Sequence, residues 1–224
     1  MSRRLLLLGL TGLLLALAGC GIDKPAAKPV VPLSAGQQKQ LSLAYGQLLK
    51  NHTAKSLAIY RELKKTALHN PQVLSGEAEV LLARRETPQA EKLLQEILRD
   101  YPRDGKAHIL YGKLLEKQGK LREALAQFLA VPQDYADFDS ALSSAAQVYL
   151  ALNQPKKAQK ILRRALWLYP NFDEGIYYLA LSYARMGKPG LARYYLKLAA
   201  SFNPEWLKEA GIDPDLRNIA QAAK

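Results

Sequence analysis

Pro102, Pro170 and Pro204 stand 68 and 34 residues apart, and the 34-residue interval organises the chain from residue 37 onward. Steps of that length give five blocks: 37–70, 71–104, 105–138, 139–172 and 173–206. Block position 8 holds Ala44, Ala78, Gly112, Ala146 and Ala180, and position 20 holds Ser56, Ala90, Ala124, Ala158 and Ala192. Position 24 is large in every block, with Tyr60, Leu94, Phe128, Leu162 and Leu196. Two helices approach closely only where small side chains meet, with large ones filling the space alongside. Each block therefore reads as a helix pair, one helix near positions 2–14 and the other near 18–30, that must stack on its neighbours to bury an apolar face.

Turn formers or polar residues separate the two helices of each block: Asn51, Arg85, Gly119, Asn153 and Gly187. Gly119 and Gly187 suit the left-handed residue that ends a helix. Pro155 and Pro189 suit the first helical position, where a missing backbone donor costs nothing. The period, the small residues and the closing proline resemble the tetratricopeptide repeat. That resemblance implies an all-α solenoid of about five helix pairs over 37–206, with 207–224 as a C-terminal cap. Its departures are local. Position 4 reads Gln40, Leu74, His108, Leu142 and Ile176, and Glu77 places a charge where an apolar residue is expected. Pro132 should truncate the second helix of the third block and widen its gap to the fourth. Gly211 should stop a helix begun near Glu205, with Asp213-Pro214 opening the next as cap and first helical residue.

Ahead of the blocks, Met1-Ser2-Arg3-Arg4 is basic, Leu5 to Leu17 is apolar, and small residues lead to Cys20, the only cysteine of the chain. This is the layout of a secretion signal. Leu17-Ala18-Gly19-Cys20 resembles the lipobox of bacterial lipoproteins, which implies a signal peptide over 1–19 and diacylglycerol and an N-acyl chain, such as palmitate, on Cys20. Gly21 then favours the outer membrane, periplasmic face, as the address. Residues 20–36 carry spaced prolines and no apolar period, and 21–36 read as a tether reaching on the order of 50 Å. Removing Arg3 and Arg4 from the 32 Lys and Arg leaves 30 against 20 acidic residues, a net of about +10. Such a balance suits anionic lipid or acidic protein partners, and export argues against nucleic acid.

Residues for chemistry are missing. His52, His69 and His108 have no metal-pair spacing, and no phosphate loop or nucleophile elbow occurs. No enzyme, metal or cofactor is expected. By the resemblance, positions 2, 5, 9, 12 and 13 of the first helices line a groove for extended peptides or helices. The residues singled out there are Tyr45, Leu48, Lys106, Lys113, Lys117, Gln147, Tyr177, Leu181 and Arg185. Tyr45, Tyr177 and Arg185 are of the kind that dominates interface energies, and the three lysines offer a cationic stretch to an acidic segment. Position 9 has no asparagine, which argues against the clamp that holds a terminal carboxylate in some relatives. On the second helix of block four, Lys156, Lys160, Arg163 and Arg164 share one face beside Lys157. That face reads first as solvated surface, with anionic headgroups or an acidic partner as alternatives.

Anchor, tether and repeats together resemble lipoproteins that assist pilus and secretin assembly. They also resemble adaptors for envelope proteases or peptidoglycan enzymes, and the repeat lipoprotein of outer-membrane β-barrel assembly. The expected protein is a non-enzymatic, lipid-anchored scaffold that binds other proteins of the cell envelope; its oligomeric state is not readable, although repeat arrays of this kind often pair through terminal blocks.

Overall fold

A computed structural model describes residues 27–222, which form twelve α-helices and, among the described residues, no strand. Residues 1–26 and 223–224 lie outside the described residues, and with them the expected signal peptide and the lipobox-like stretch ending at Cys20. Ten helices form five antiparallel pairs. These are α1 (Ala35–Leu49) with α2 (Thr53–Thr66), α3 (Pro71–Ala83) with α4 (Thr87–Asp100), and α5 (Gly105–Lys117) with α6 (Leu121–Ala130). Then follow α7 (Phe138–Ala151) with α8 (Pro155–Leu168) and α9 (Asp173–Arg185) with α10 (Pro189–Phe202). Each helix packs on the next in sequence, and each first helix also touches the following first helix, so the pairs stack as a solenoid.

The 34-residue pattern is the packing. All ten small residues at positions 8 and 20 are buried, and Tyr60, Leu94, Phe128, Leu162 and Leu196 are at most 1% exposed. Burying one such large side chain contributes about 1.5–3 kcal/mol, and one recurs in every pair. Gly112 shows how tight the crossing is: a Cβ there would sit 2.6 Å from the Phe128 ring. Helices start earlier than the sequence suggests, mostly by one residue, and the first helix of each pair also ends one residue earlier. Asn70 and Asp104, each the last residue of its block, cap the next helix by accepting bonds from Gln72 and Val73 N–H and from Ala107 N–H. All five turn residues, Asn51, Arg85, Gly119, Asn153 and Gly187, have φ between 55° and 75°.

Three local expectations are settled by the packing. Pro132 does shorten α6 to 10 residues against the 14 of α2, α4, α8 and α10, because the residue before a proline is driven out of the helical region. Val131 accordingly sits at ψ 127°. The expected gap beyond it is absent, since Val131 and Phe138 are buried in one cluster and Tyr135 fills the space over Gly105. At the C-terminus, Gly211 lies inside α11 (Glu205–Ile212) instead of ending it. Pro214 sits in the turn after α11, where Asp213 accepts from the Asp215 N–H at 2.8 Å, and Leu216 leads into α12 (Arg217–Gln221).

The tether expectation needs a larger correction. Leu33 is 8% exposed within the core of the first two pairs. Asn70 Nδ2 donates to the Val31 carbonyl at 2.9 Å, the Lys28 N–H donates to the Asp100 carbonyl at 3.0 Å, and Lys28 Nζ lies 2.6 Å from the Asp100 carboxylate. From residue 28 onward the segment is folded against the array.

Candidate partner-binding groove

The first helices α1, α3, α5 and α7 line an open groove of about 730 Å³. Its walls come largely from positions 2, 5 and 9: Leu41 and Tyr45, then Gln72, Ser75 and Glu79, then Lys106, Ile109 and Lys113, then Ser140. The cause is the helical repeat, because these positions share the face of each first helix that the second helix leaves uncovered. Tyr135 and Asp137 from the loop before α7, Val30 from the N-terminal segment, and Tyr60 and Asp104 from between the first helices add to the lining.

Electrostatically the groove is mixed. Lys106 Nζ lies 2.6 Å from Glu79 Oε2 and 5.5 Å above the Tyr45 ring. The cationic stretch expected from three lysines is therefore reduced: Lys106 is already partnered, while Lys113 and Lys117 are exposed and make no ion pair within 4.0 Å among the described residues. Burial raises the carboxyl of Asp104, and it pushes the phenols of Tyr60 and Tyr135 up to about 12, with nearby carboxylates adding to the effect. All three line this groove. Such a surface suits a polypeptide that brings its own hydrogen bonds and a few apolar side chains. Tyr45, 44% exposed, is the one aromatic ring presented broadly to an incoming chain.

The nine residues singled out in the sequence separate here. Tyr45, Lys106 and Lys113 meet in the groove. Leu48 is half-buried against the core of the first pair. Lys117 and Gln147 lie on α5 and α7 but do not line the groove. Tyr177 and Leu181 are buried beneath the C-terminal cap, and Arg185, although exposed, is engaged by it. Tyr177 is 3% exposed and stacks on Trp206 of α11 at 4.6 Å between centroids, while Trp206 Nε1 donates to Asp173 at 2.9 Å. Leu181 is 5% exposed. Arg185 is held by Asp215 at 2.7 Å and donates to the Leu150 carbonyl at 2.6 Å. These three hold the cap to the array and offer little to a partner.

The histidines are structural in their surroundings. His108 is 8% exposed, with ring nitrogens 2.8 Å from Gln127 Oε1 and 3.1 Å from the Pro102 carbonyl. His52 contacts Gln47, and His69 supplies a backbone carbonyl to Tyr101. Among the described residues no group of three His, Cys, Asp or Glu could hold a metal ion, and no helix is long and apolar enough to cross a membrane.

Residues 81–148 match the tetratricopeptide repeat, as do residues 140–171. A search of curated proteins finds no match. Solved structures of similar shape include PilF of Pseudomonas aeruginosa, 20% identical over 84% of this chain and 88% of that one, with a TM-score of 0.69. PilW, described as a widely conserved type IV pilus biogenesis factor, is 20% identical over 85% and 90%, with a TM-score of 0.71. YrrB, a repeat protein with an unusual peptide-binding site, is 15% identical over 82% and 89%, with a TM-score of 0.58. Residues 81–171 are thus tetratricopeptide repeats, and the chain is an all-helical solenoid of the tetratricopeptide kind.

Proposed function

We propose that this protein is a non-enzymatic, lipid-anchored scaffold of the periplasm, and that it assists assembly of a pilus or a related envelope machine by holding an extended segment of a partner in the groove of α1, α3, α5 and α7. The observation that carries the binding role is the open groove itself, which keeps Tyr45 and Lys113 exposed while most of each pair is consumed in packing. The pilus reading draws on two similarly shaped proteins, one of them described as a type IV pilus biogenesis factor. The anchor and the outer-membrane address draw on Arg3-Arg4, the apolar run and Leu17-Ala18-Gly19-Cys20. Two acyl signals on one residue meet the usual requirement for stable membrane attachment.

The test has two arms. Tyr45→Ala should reduce recovery of the crosslinked partner from the envelope while helicity stays unchanged, and unchanged recovery rejects the groove. Cys20→Ser should move the protein out of the membrane fraction, and a variant that stays there rejects the lipid anchor.

A further inference from the structure

The second helices of the last two pairs differ from the others. Together α8 and α10 carry seven cations (Lys156, Lys157, Lys160, Arg163, Arg164, Arg193 and Lys197) and no Asp or Glu. By contrast α4 mixes both signs, with Glu91, Glu96 and Asp100 beside Lys92 and Arg99. On α8, Lys156, Lys160, Arg163 and Trp167 follow at spacings of four, three and four, which aligns them on one exposed face. Trp167 is 81% exposed. On α10, Tyr194 is 62% exposed and Leu191 44%. Among the described residues none of the seven cations lies within 4.0 Å of a carboxylate.

Tyr183 of α9 bridges the two helices. Arg163 donates to the Tyr183 hydroxyl at 2.9 Å, Tyr183 stacks on Tyr195 at 5.2 Å, and Tyr195 meets Tyr194 edge-on at 5.1 Å. At the start of α8, Lys156 and Lys157 also face Lys188 across an open cleft of about 710 Å³. A solvated helix face explains the lysines but not a tryptophan left in water among them. Indole and phenol rings beside Lys and Arg are what a membrane–water interface stabilises: the rings sit at headgroup depth and the long cationic stems reach the phosphates.

We infer that the outer face of α8 and α10 rests on an anionic phospholipid surface, with Trp167 and Tyr194 entering the headgroup layer. The face belongs to the second helices, so contact there leaves the groove of the first helices open to a partner. The inference stands apart from the anchor and from the groove, since neither supplies its residues.

Fluorescence of the full chain on vesicles tests it. Vesicles of phosphatidylcholine alone are compared with vesicles also containing phosphatidylglycerol, with brominated acyl chains as quencher. Trp167→Phe supplies the background from Trp206, which is stacked on Tyr177. The expected result is a blue shift and quenching of Trp167 on anionic vesicles only, reversed by high salt because screening weakens exposed charge attraction. Lys156→Glu with Lys160→Glu should remove that quenching with helicity unchanged. Quenching that is equal on neutral vesicles, or that survives the charge reversal, overturns the inference. So does a Trp167 that ignores both vesicles, including one whose emission responds to soluble poly-glutamate instead, which would mark the face as a site for an acidic protein.

Discussion

At the scale of single residues, the fold depends on where side chains are small and where the backbone turns left-handed. Gly112→Ala places a methyl 2.6 Å from the buried Phe128 ring, and overpacking of this kind costs about 1–3 kcal/mol. A matching fall in the urea midpoint, with unchanged slope, is the expected outcome. Arg85 is the opposite case. It holds φ 62° with a full side chain, a conformation costing roughly 1–2 kcal/mol that glycine escapes, less glycine's own loss of chain freedom. Arg85→Gly is therefore expected to be neutral or to raise stability by up to about 1 kcal/mol, although mid-chain glycines usually weaken a helical protein. Titration gives a third prediction. Tyr60 and Tyr135 keep their protons to about pH 12 in the fold, against the ordinary value of 10.0. Their contribution is complete below pH 10 and declines as pH rises toward 12, because the unfolded chain releases these protons first. Ellipticity at alkaline pH should fall together with the rise of phenolate absorbance.

At the scale of elements, the helix pairs were legible because their spacing is set by packing, and packing repeats. Position 8, position 20 and position 24 say which faces meet without any knowledge of the partner helix. The two ends were less legible because nothing periodic governs them. Pro25, Pro29 and Pro32 read as a free tether, yet Leu33 finds a place in the first core, and Lys28 finds Asp100 some 72 residues away. The hydrogen bond from Arg99 and then that from Lys28 hold the Asp100 carboxyl down at about 2, so it stays ionised at any ordinary pH. Lys28→Ala should change global stability little, since exposed pairs contribute roughly 0–1 kcal/mol. It should nevertheless speed protease cleavage between residues 27 and 33, and an unaltered cleavage rate would mean that Leu33, Asn70 and the Lys28 backbone bond to Asp100 hold the segment without the ion pair. The C-terminal cap rests on Trp206. Trp206→Ala loses the Tyr177 stack and the bond to Asp173. For a half-buried ring the expected cost is about 2 kcal/mol, below the range for fully buried aromatics, read as earlier unfolding of the last pair by hydrogen exchange.

For the whole molecule, the groove was only partly readable in advance. Tyr45, Lys106 and Lys113 follow from block position alone, whereas Tyr135 and Asp137 come from a loop that Pro132 throws out of the period. Tyr177, Leu181 and Arg185 occupy equivalent positions in the last pair, but the cap covers that end, and position cannot reveal what a terminal helix will bury. A stack of helix pairs thus has one uncovered inner surface, concentrated in the first four pairs, and the proposed partner capture uses it. The most direct measurement places a photo-crosslinking residue at position 45 in the groove, at position 177 under the cap, or at position 96 on the exposed side of α4. Crosslinks to one envelope protein from position 45, with none from 177 or 96, are the predicted result. Capture from position 96 with none from position 45 would contradict a scaffold that works through its inner surface.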